Sequence, residues 1–444
     1  MVETTTSVST RTVKVRYLML LLLFVVSTVN YADRSTISIA GPRIAADLNL
    51  NMVQMGYIFS AFGWAYTFSQ LPGGWLLDRF GSKVVYGCSI LFWGIFSFSQ
   101  GFVHYFSFAV VLLFSLRFLV GMAEAPVMPA NSRIVSAWFP VRERGTASAI
   151  FNASQYAALV VFTPLLGWIT QEVSWTYVFI VMGSIAIILS FVWMKKMYSP
   201  TQYPGLSSEE LNYIKEGGAL VEMDSPAKQK TPCKTNQLFY IKQLLSNRML
   251  LGIYLGNYCV NAITWFFLSW FPIYLVKGRG MTILHAGFIA ALPAICGCIG
   301  GVLGGVVSDK LLRRGCSLSV ARKTPIIFGM LLCMSMVACN YTNSNVLVVI
   351  IMCLSFFGKG FGALGWTINA DTAPKEIMGL SGGVLNLITQ IGAITTPIVI
   401  GYIIQQTGSF GGALVYVVAN GAVVILSYVF IVGKIQRMEL RHPA

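Results

Sequence analysis

The chain has 444 residues, 56% of them hydrophobic and only 11% charged. A soluble domain carries about 25% charged residues, so this deficit, with a mean hydropathy of +0.70, excludes a water-soluble globule. The net charge of +15 would suit nucleic acid in a soluble chain; here it reads as a topology signal.

Twelve apolar windows follow in chain order, near 17–37, 55–77, 84–103, 107–129, 146–170, 176–196, 248–272, 284–308, 323–342, 346–370, 378–402 and 410–433. Each holds the roughly 20 residues that cross about 30 Å of hydrocarbon as a helix. None shows the alternation of a barrel strand. The expectation is an all-α membrane protein of twelve transmembrane helices. The polar start (MVETTTSVSTRTVKVR) and the lack of a small-residue cleavage site after the first run predict a retained span rather than a signal peptide. With both termini in the cytoplasm, inner loops and tails hold 25 Lys and Arg, outer loops three (Arg43, Lys277, Arg279) and spans three (Arg34, Arg117, Lys359). That is the inside-positive pattern.

A polar stretch at 197–247, with Pro200, Pro204, Pro226, Pro232 and a run of lysines, divides six spans from six. It predicts an N-terminal bundle (1–196), a cytoplasmic linker (197–247) and a C-terminal bundle (248–444). A short helix is expected at 207–216 (SSEELNYIKE), with Ser207 as cap and Glu210 in the capping-box position. The linker's basic residues are expected to face anionic headgroups.

The two halves repeat. Asp78 and Asp309, like Asn30 and Asn261, stand 231 positions apart; GTASAIFNASQ (145–155) aligns with GLSGGVLNLIT (379–389), placing Asn152 over Asn386. Such repeats mark secondary transporters, whose substrate site lies between the repeats near the midplane.

Between the second and third spans stands GGWLLDRFGSK (73–83), and its second copy, GGVVSDKLLRRG (304–315), follows the eighth. Gly74, Asp78, Arg79, Gly81 and Lys83 resemble the loop motif of the major facilitator superfamily, and Asp309 marks the repeat. The resemblance covers the whole chain. It implies two six-helix halves held together on the cytoplasmic side by this gating loop.

Five ionisable groups lie deep in apolar runs: Asp33 and Arg34 in the first span, Arg117 and Glu124 in the fourth, and Lys359 in the tenth. Each costs about 3 kcal/mol or more at the bilayer centre, so they must face a protein-lined or watery interior. Three cations against two carboxylates suit an anionic substrate whose binding is linked to protonation; the competing reading is ion pairs that only staple helices. Polar side chains join them: Asn30, Tyr31, Tyr66, Gln70, Asn152, Gln155, Tyr156, Asn257, Asn261, Thr264, Trp366, Asn369, Asn386 and Gln390. For each of these the alternative is helix–helix glue.

NYADRSTISIAGP (30–42), the run 56–83 and RFLVGMAEAPVMPANSRIVSAWFP (117–140) resemble the anion:cation symporter branch of that superfamily. FNASQY, FFGKGFGALGW, DTAPKE and GLSGGVLN are most similar to its glucarate and galactarate permeases. The resemblance implies a proton symporter of the bacterial inner membrane, acting as a monomer on a small organic anion. By the same resemblance Asp33 and Glu124 would take protons, Arg117 would tune Glu124, and Arg34 would clamp a substrate carboxylate. Residues matching the pocket of the related galactonate carriers are Tyr31, Tyr66, Gln155, Trp366 and Asn386. Where that pocket has Ser and Thr, this chain has Ala363 and Gly365, which puts galactonate in doubt and allows a larger or differently placed ligand.

Lys359 stands mid-span between Gly358 and Gly360, which are expected to leave room around its stem, with Trp366 seven residues on and so on the same face. Arg34 and Lys359, from opposite halves, would take the two carboxylates of a hexarate; the alternative is a lysine paired within its own half, or one left neutral at pH 7 by burial. Uptake or exchange of an aldonate such as galactonate or gluconate is the second transporter reading. A membrane enzyme finds no support: there is no nucleophile motif or Walker loop, and His104, His285 and His442 lie in loops or near span ends. The nine cysteines read as free thiols, and Cys296 and Cys298 lack the partner pair zinc needs. No metal or cofactor other than the coupling proton is expected.

Overall fold

A computed structural model describes residues 15–140, 142–223, 237–374 and 377–440. The polar start before residue 15, Pro226 and Pro232 with the lysines around them, the end of DTAPKE and His442 lie outside these described residues. All regular elements described are helical. The N-terminal half comprises α1 (Val15–Asp47), α2 (Met52–Phe80), α3 (Ser82–Gln100), α4 (Ala109–Glu124), α5 (Val127–Trp138), α6 (Arg144–Glu172) and α7 (Trp175–Lys196). Two short helices follow, α8 (Ser208–Glu216) and α9 (Gln237–Ser246). The C-terminal half has α10 (Arg248–Trp265), the single turn α11 (Phe271–Ile273), α12 (Ile283–Arg313), α13 (Leu318–Met334), α14 (Asn345–Gly360), α15 (Leu364–Thr372), α16 (Met378–Thr407) and α17 (Gly411–Leu426). Among the described residues, eleven helical stretches are long and apolar enough to cross a membrane. The helix on the second window, α2, is 29 residues long but carries Gln54, Gln70, Asp78 and Arg79, and it is not among the eleven.

Three of the windows break where sequence chemistry demands it. Pro126 has no N–H to donate, so the fourth helix stops at Glu124 and resumes as α5, running nine residues past the window to Trp138. Around Pro272 the seventh span passes through two π turns, Phe266–Trp270 and Tyr274–Gly278. The tenth becomes a 3-10 turn at Phe361–Ala363. That turn advances about 20° more per residue than an α-helix, so it rotates Trp366 by roughly 60° about the axis but leaves it within about 40° of Lys359.

Part of the linker is bound to the N-terminal half. Ser207 caps α8, its Oγ accepting from the Glu210 N–H at 3.2 Å. The expected capping box is half made: the Glu210 carboxylate turns away and accepts instead from the Val15 and Arg16 N–H groups, at 3.1 and 3.4 Å. Tyr213 donates to Glu143 at 2.7 Å.

The halves meet most closely at the end that carries the 48–51 and 408–410 turns, hereafter the distal end. Small residues allow it. A Cβ on Gly56 would lie 2.6 Å from the Pro397 oxygen, and one on Gly287 would lie 2.7 Å from the Thr163 oxygen. Met52 N–H donates to Gln405 Oε1 at 3.1 Å, Tyr57 and Tyr402 share a hydroxyl bond of 3.2 Å, and Leu284 N–H donates to Gln171 at 3.0 Å. Toward the other end, which carries the GGWLLDRFGSK loop, Asn386 Nδ2 donates to Gln70 Oε1 at 2.8 Å.

Gly287→Leu tests this seam. Overpacking a tight interface costs about 1–3 kcal/mol, enough to shift a two-state balance roughly ten- to hundredfold. The variant should insert normally but lose most transport, because the distal end cannot close. Wild-type uptake in vesicles would show that the seam need not close.

Candidate functional site

The five intramembrane charges divide into four that form one cluster and one that stands apart. Asp33 and Arg34 are consecutive on α1, and Arg117 and Glu124 lie two turns apart on α4. A Cβ on Gly121 would sit 2.5 Å from the Phe62 oxygen, so glycine lets α2 press Phe62 against the cluster. Arg34 Nε donates to Glu124 Oε2 at 2.8 Å. Arg117 Nη1 stands 3.7 Å from Asp33 Oδ2, and its Nη2 donates to the Arg34 carbonyl at 2.9 Å. Ser97 Oγ donates to Asp33. Asp33 and Glu124 are fully buried.

Each acid is thus matched to one arginine, but the matching leaves donors and acceptors over. Arg34 Nη2, Glu124 Oε1 and Arg117 Nε are buried with no hydrogen-bond partner among the described residues. The Arg34 guanidinium lies 5.0 Å from the Tyr31 ring, 4.8 Å from Phe62 and 5.1 Å from Tyr66. Aromatic faces hold a guanidinium without consuming its N–H donors, so the fork keeps hydrogen-bonding capacity for an incoming carboxylate. Arg117 pairs directly with Asp33, and Arg34 makes the direct hydrogen bond to Glu124.

Tyr31 and Tyr66 therefore sit at the arginine. Phe62 stacks on Tyr66, centroids 5.4 Å apart, and meets Trp265 of the other half at 6.1 Å. Gln155 donates to the Asn152 carbonyl at 3.1 Å. Trp366, at 48% exposed, projects from α15. Several expected lining residues serve packing. Asn257 bonds the Ile253 carbonyl, Asn261 bonds Thr389 and Gln390, and Asn369 accepts from Ser381.

Gly365 does not enlarge the pocket. A Cβ there would fall 2.3 Å from Asn257 Oδ1, so the glycine makes way for the asparagine. Nor do Gly358 and Gly360 leave room beside Lys359. Their missing Cβ atoms would meet the Gly329 and Gly297 oxygens at 2.2 and 2.4 Å, so they let α14 pack on α13 and α12. Lys359 is half-buried, with Nζ 4.9 Å from the Phe356 ring centroid. No described carboxylate forms an ion pair with it.

In the loop motif Gly81 adopts φ 77, a left-handed value that glycine takes without strain, and ends α2 beside Asp78. Asp78 pairs with Arg133 of α5, a partner the sequence reading missed because α5 lay beyond the fourth window. Lys83 lies over the Tyr198 ring at 3.4 Å, and Arg79 over Trp75 at 5.1 Å; Gly74 leaves open space where a Cβ would stand. In the second copy Asp309 meets Arg322, which also binds Asp371 at 2.9 Å. Among the described residues no group of His, Cys, Asp and Glu could hold a metal ion.

A helical bundle with eleven described stretches apolar enough to cross a membrane and a buried charge cluster has the character of a membrane transporter. The Major Facilitator Superfamily profile matches residues 23–321, and the chain belongs to that family: it is a multi-pass bacterial inner-membrane protein whose role is transport rather than catalysis. It is similar to a curated "Probable galactarate/D-glucarate transporter" of Escherichia coli (strain K12), at 56% identity over all of this chain and 98% of that one. Similarity to the D-galactonate transporter of Escherichia coli O6:H1 is 41%, over 95% of this chain and 97% of that one. Among solved structures, a bacterial homologue of the lysosomal transporter Spinster in an inward-facing, occupied conformation superposes with a TM-score of 0.71. It is 17% identical and covers 95% of this chain and 97% of its own, a likeness of fold alone.

Proposed function

We propose that the chain imports the hexarates D-glucarate and galactarate together with protons, by alternating access. The supporting observation is the cluster itself: Arg34 spends one donor on Glu124 and keeps a buried donor unpaired. A proton on Glu124 removes the charge that holds Arg34 and frees the guanidinium for a substrate carboxylate. Proton and anion therefore favour each other's binding, which is the linkage a symporter requires. On the low-proton side Glu124 ionises again, reclaims Arg34 and releases the anion. Asp33 and Arg117 hold α1 and α4 in register beside it, with Asp33 as the second protonatable group. The substrate assignment follows the relatives' names, and the lone cation Lys359 fits a second carboxylate.

In this reading α2 is the second span and brings the eleven to twelve, its Gln54, Gln70 and loop charges facing the junction and the water phase. Both termini lie in the cytoplasm, the bundles are 1–196 and 248–444 joined by 197–247, and the transporter works as a monomer. The distal end is then outside, and the arrangement described is inward-facing. Counterflow in liposomes against glucarate, galactarate, gluconate and galactonate tests the assignment. The hexarates should exchange; exchange of aldonates alone would favour the aldonate reading.

Arg34→Lys should keep the charge yet lower substrate affinity by about tenfold or more, because an ammonium lacks the planar fork. Equilibrium binding of labelled glucarate to purified protein checks this. Near-normal affinity would leave Arg34 as a partner of Glu124 and nothing more.

A further inference from the structure

The loop-motif end of the C-terminal half carries a cavity of about 1310 Å³ that the transport site does not use. Its cations are Lys242 of α9, Arg248 at the first residue of α10, and Lys434 and Arg437 in the tail after α17; its acid is Glu439. Phe239, Met249 and Phe430 add an apolar wall, and Phe430 is 66% exposed.

The wall is held by the chain's own hydrogen bonds. The chain leaves α17 through a π turn, Ser427–Ile431, and bends at Gly433 with φ 58. Arg248 Nη2 donates to the Phe430 carbonyl at 2.9 Å, and Lys323 Nζ donates to that of Gly433. Ile435 N–H donates to Ser319 Oγ at 2.8 Å, Met438 N–H to the Thr372 carbonyl at 2.8 Å, and Arg437 Nη1 to that of Ala373 at 2.9 Å. The tail is thereby fixed across the ends of α13 and α15. The cavity lies where α10 begins and α17 ends, at the level where a chain leaves hydrocarbon for water. Four cations against one acid, beside the exposed Phe430 and the half-buried Phe239 and Met249, match a ligand that is anionic at one end and apolar at the other. Basic pockets between membrane helices on the cytoplasmic side have this chemistry toward acidic lipids.

We propose that this cavity binds an acidic phospholipid, with the phosphate among Lys242, Arg248 and Lys434 and the acyl chains along Phe430 and Met249. The bound lipid joins α9, the end of the linker, to the C-terminal tail. A free phosphate would satisfy the cations but leave the apolar wall uncovered. The proposal is independent of which anion is transported.

The test measures phosphatidylglycerol retained by the purified, full-length protein, against phosphatidylcholine and inorganic phosphate as separate probes. Each surface cation is worth about a fivefold factor toward an acidic lipid. Lys242→Gln with Lys434→Gln should therefore weaken phosphatidylglycerol binding by roughly 25-fold, and the Lys→Arg pair should restore it. Phosphatidylcholine should bind wild type and variant alike and compete poorly. Equal melting temperatures in phosphatidylcholine show that the variant is folded; if the double variant fails that control, Lys434→Gln alone should lose about fivefold. Phosphatidylglycerol retention within twofold of wild type in the folded double variant overturns the proposal. So does protection by inorganic phosphate equal to that by the lipid.

Discussion

Glu124→Gln should abolish proton-driven accumulation of substrate while leaving exchange of labelled for unlabelled substrate intact. Glutamine keeps the shape of a protonated glutamate and cannot ionise. In the structure Glu124 is fully buried and holds Arg34 through one 2.8 Å bond. Losing that charge frees the guanidinium permanently, so the variant binds anion in the state wild type reaches only after taking a proton. Binding should become nearly independent of pH in the range where wild-type affinity falls as pH rises. Couplings between two ligands of one protein typically amount to about 5- to 150-fold in affinity, and a loss of pH dependence on that scale is expected. The decisive comparison is uptake into proteoliposomes with an imposed pH gradient against counterflow without one. A variant that still concentrates glucarate at the wild-type rate would move the coupling role to Asp33, where Arg117 stands 3.7 Å away and Ser97 donates a hydrogen bond.

Lys359→Asn should separate diacids from monoacids. The lysine is half-buried in the tenth span, and no described carboxylate pairs with it. An unpaired cation at that depth is costly, and a substrate carboxylate would relieve the cost. A hydrogen bond to a charged group is worth about 1.5–3 kcal/mol, so glucarate should lose roughly 30-fold in affinity. Gluconate, with a single carboxylate that the proposal assigns to Arg34, should lose little. Equal losses in one binding assay would mean that Lys359 serves α14 packing, beside Phe356, rather than the ligand. Asparagine retains a polar group at that depth, and a melting temperature near wild type would confirm that folding is not the variable.

The reach of the sequence differs from residue to residue. Asp33, Arg34, Arg117 and Glu124 were legible because a charge inside an apolar run has few explanations. Which acid meets which arginine was not, since Asp33 and Arg34 are neighbours and each faces α4. Only the rotation of α1 against α4 pairs Arg34 with Glu124 and Arg117 with Asp33. The glycines misled for a related reason. In sequence a glycine signals missing volume; in the structure Gly358, Gly360 and Gly365 give that volume to Gly329, Gly297 and Asn257. Arg133 went unread as the partner of Asp78 because a hydropathy window ends where charge begins, while α5 continues for nine residues more.

By itself the sequence determined the solvent of the chain, its apolar windows and its buried charges. These depend on composition and order, and a bilayer reads composition directly: it admits a helix whose side chains are apolar and charges heavily for any that are not. The tertiary structure decided the pairing of the charges, the closure of the distal end through Gly56 and Gly287, and the attachment of α8 to the N-terminal half. These depend on distances of a few ångströms between segments far apart in the chain. Hydrogen bonds and close packing act only over such distances, and no local pattern of residues encodes them.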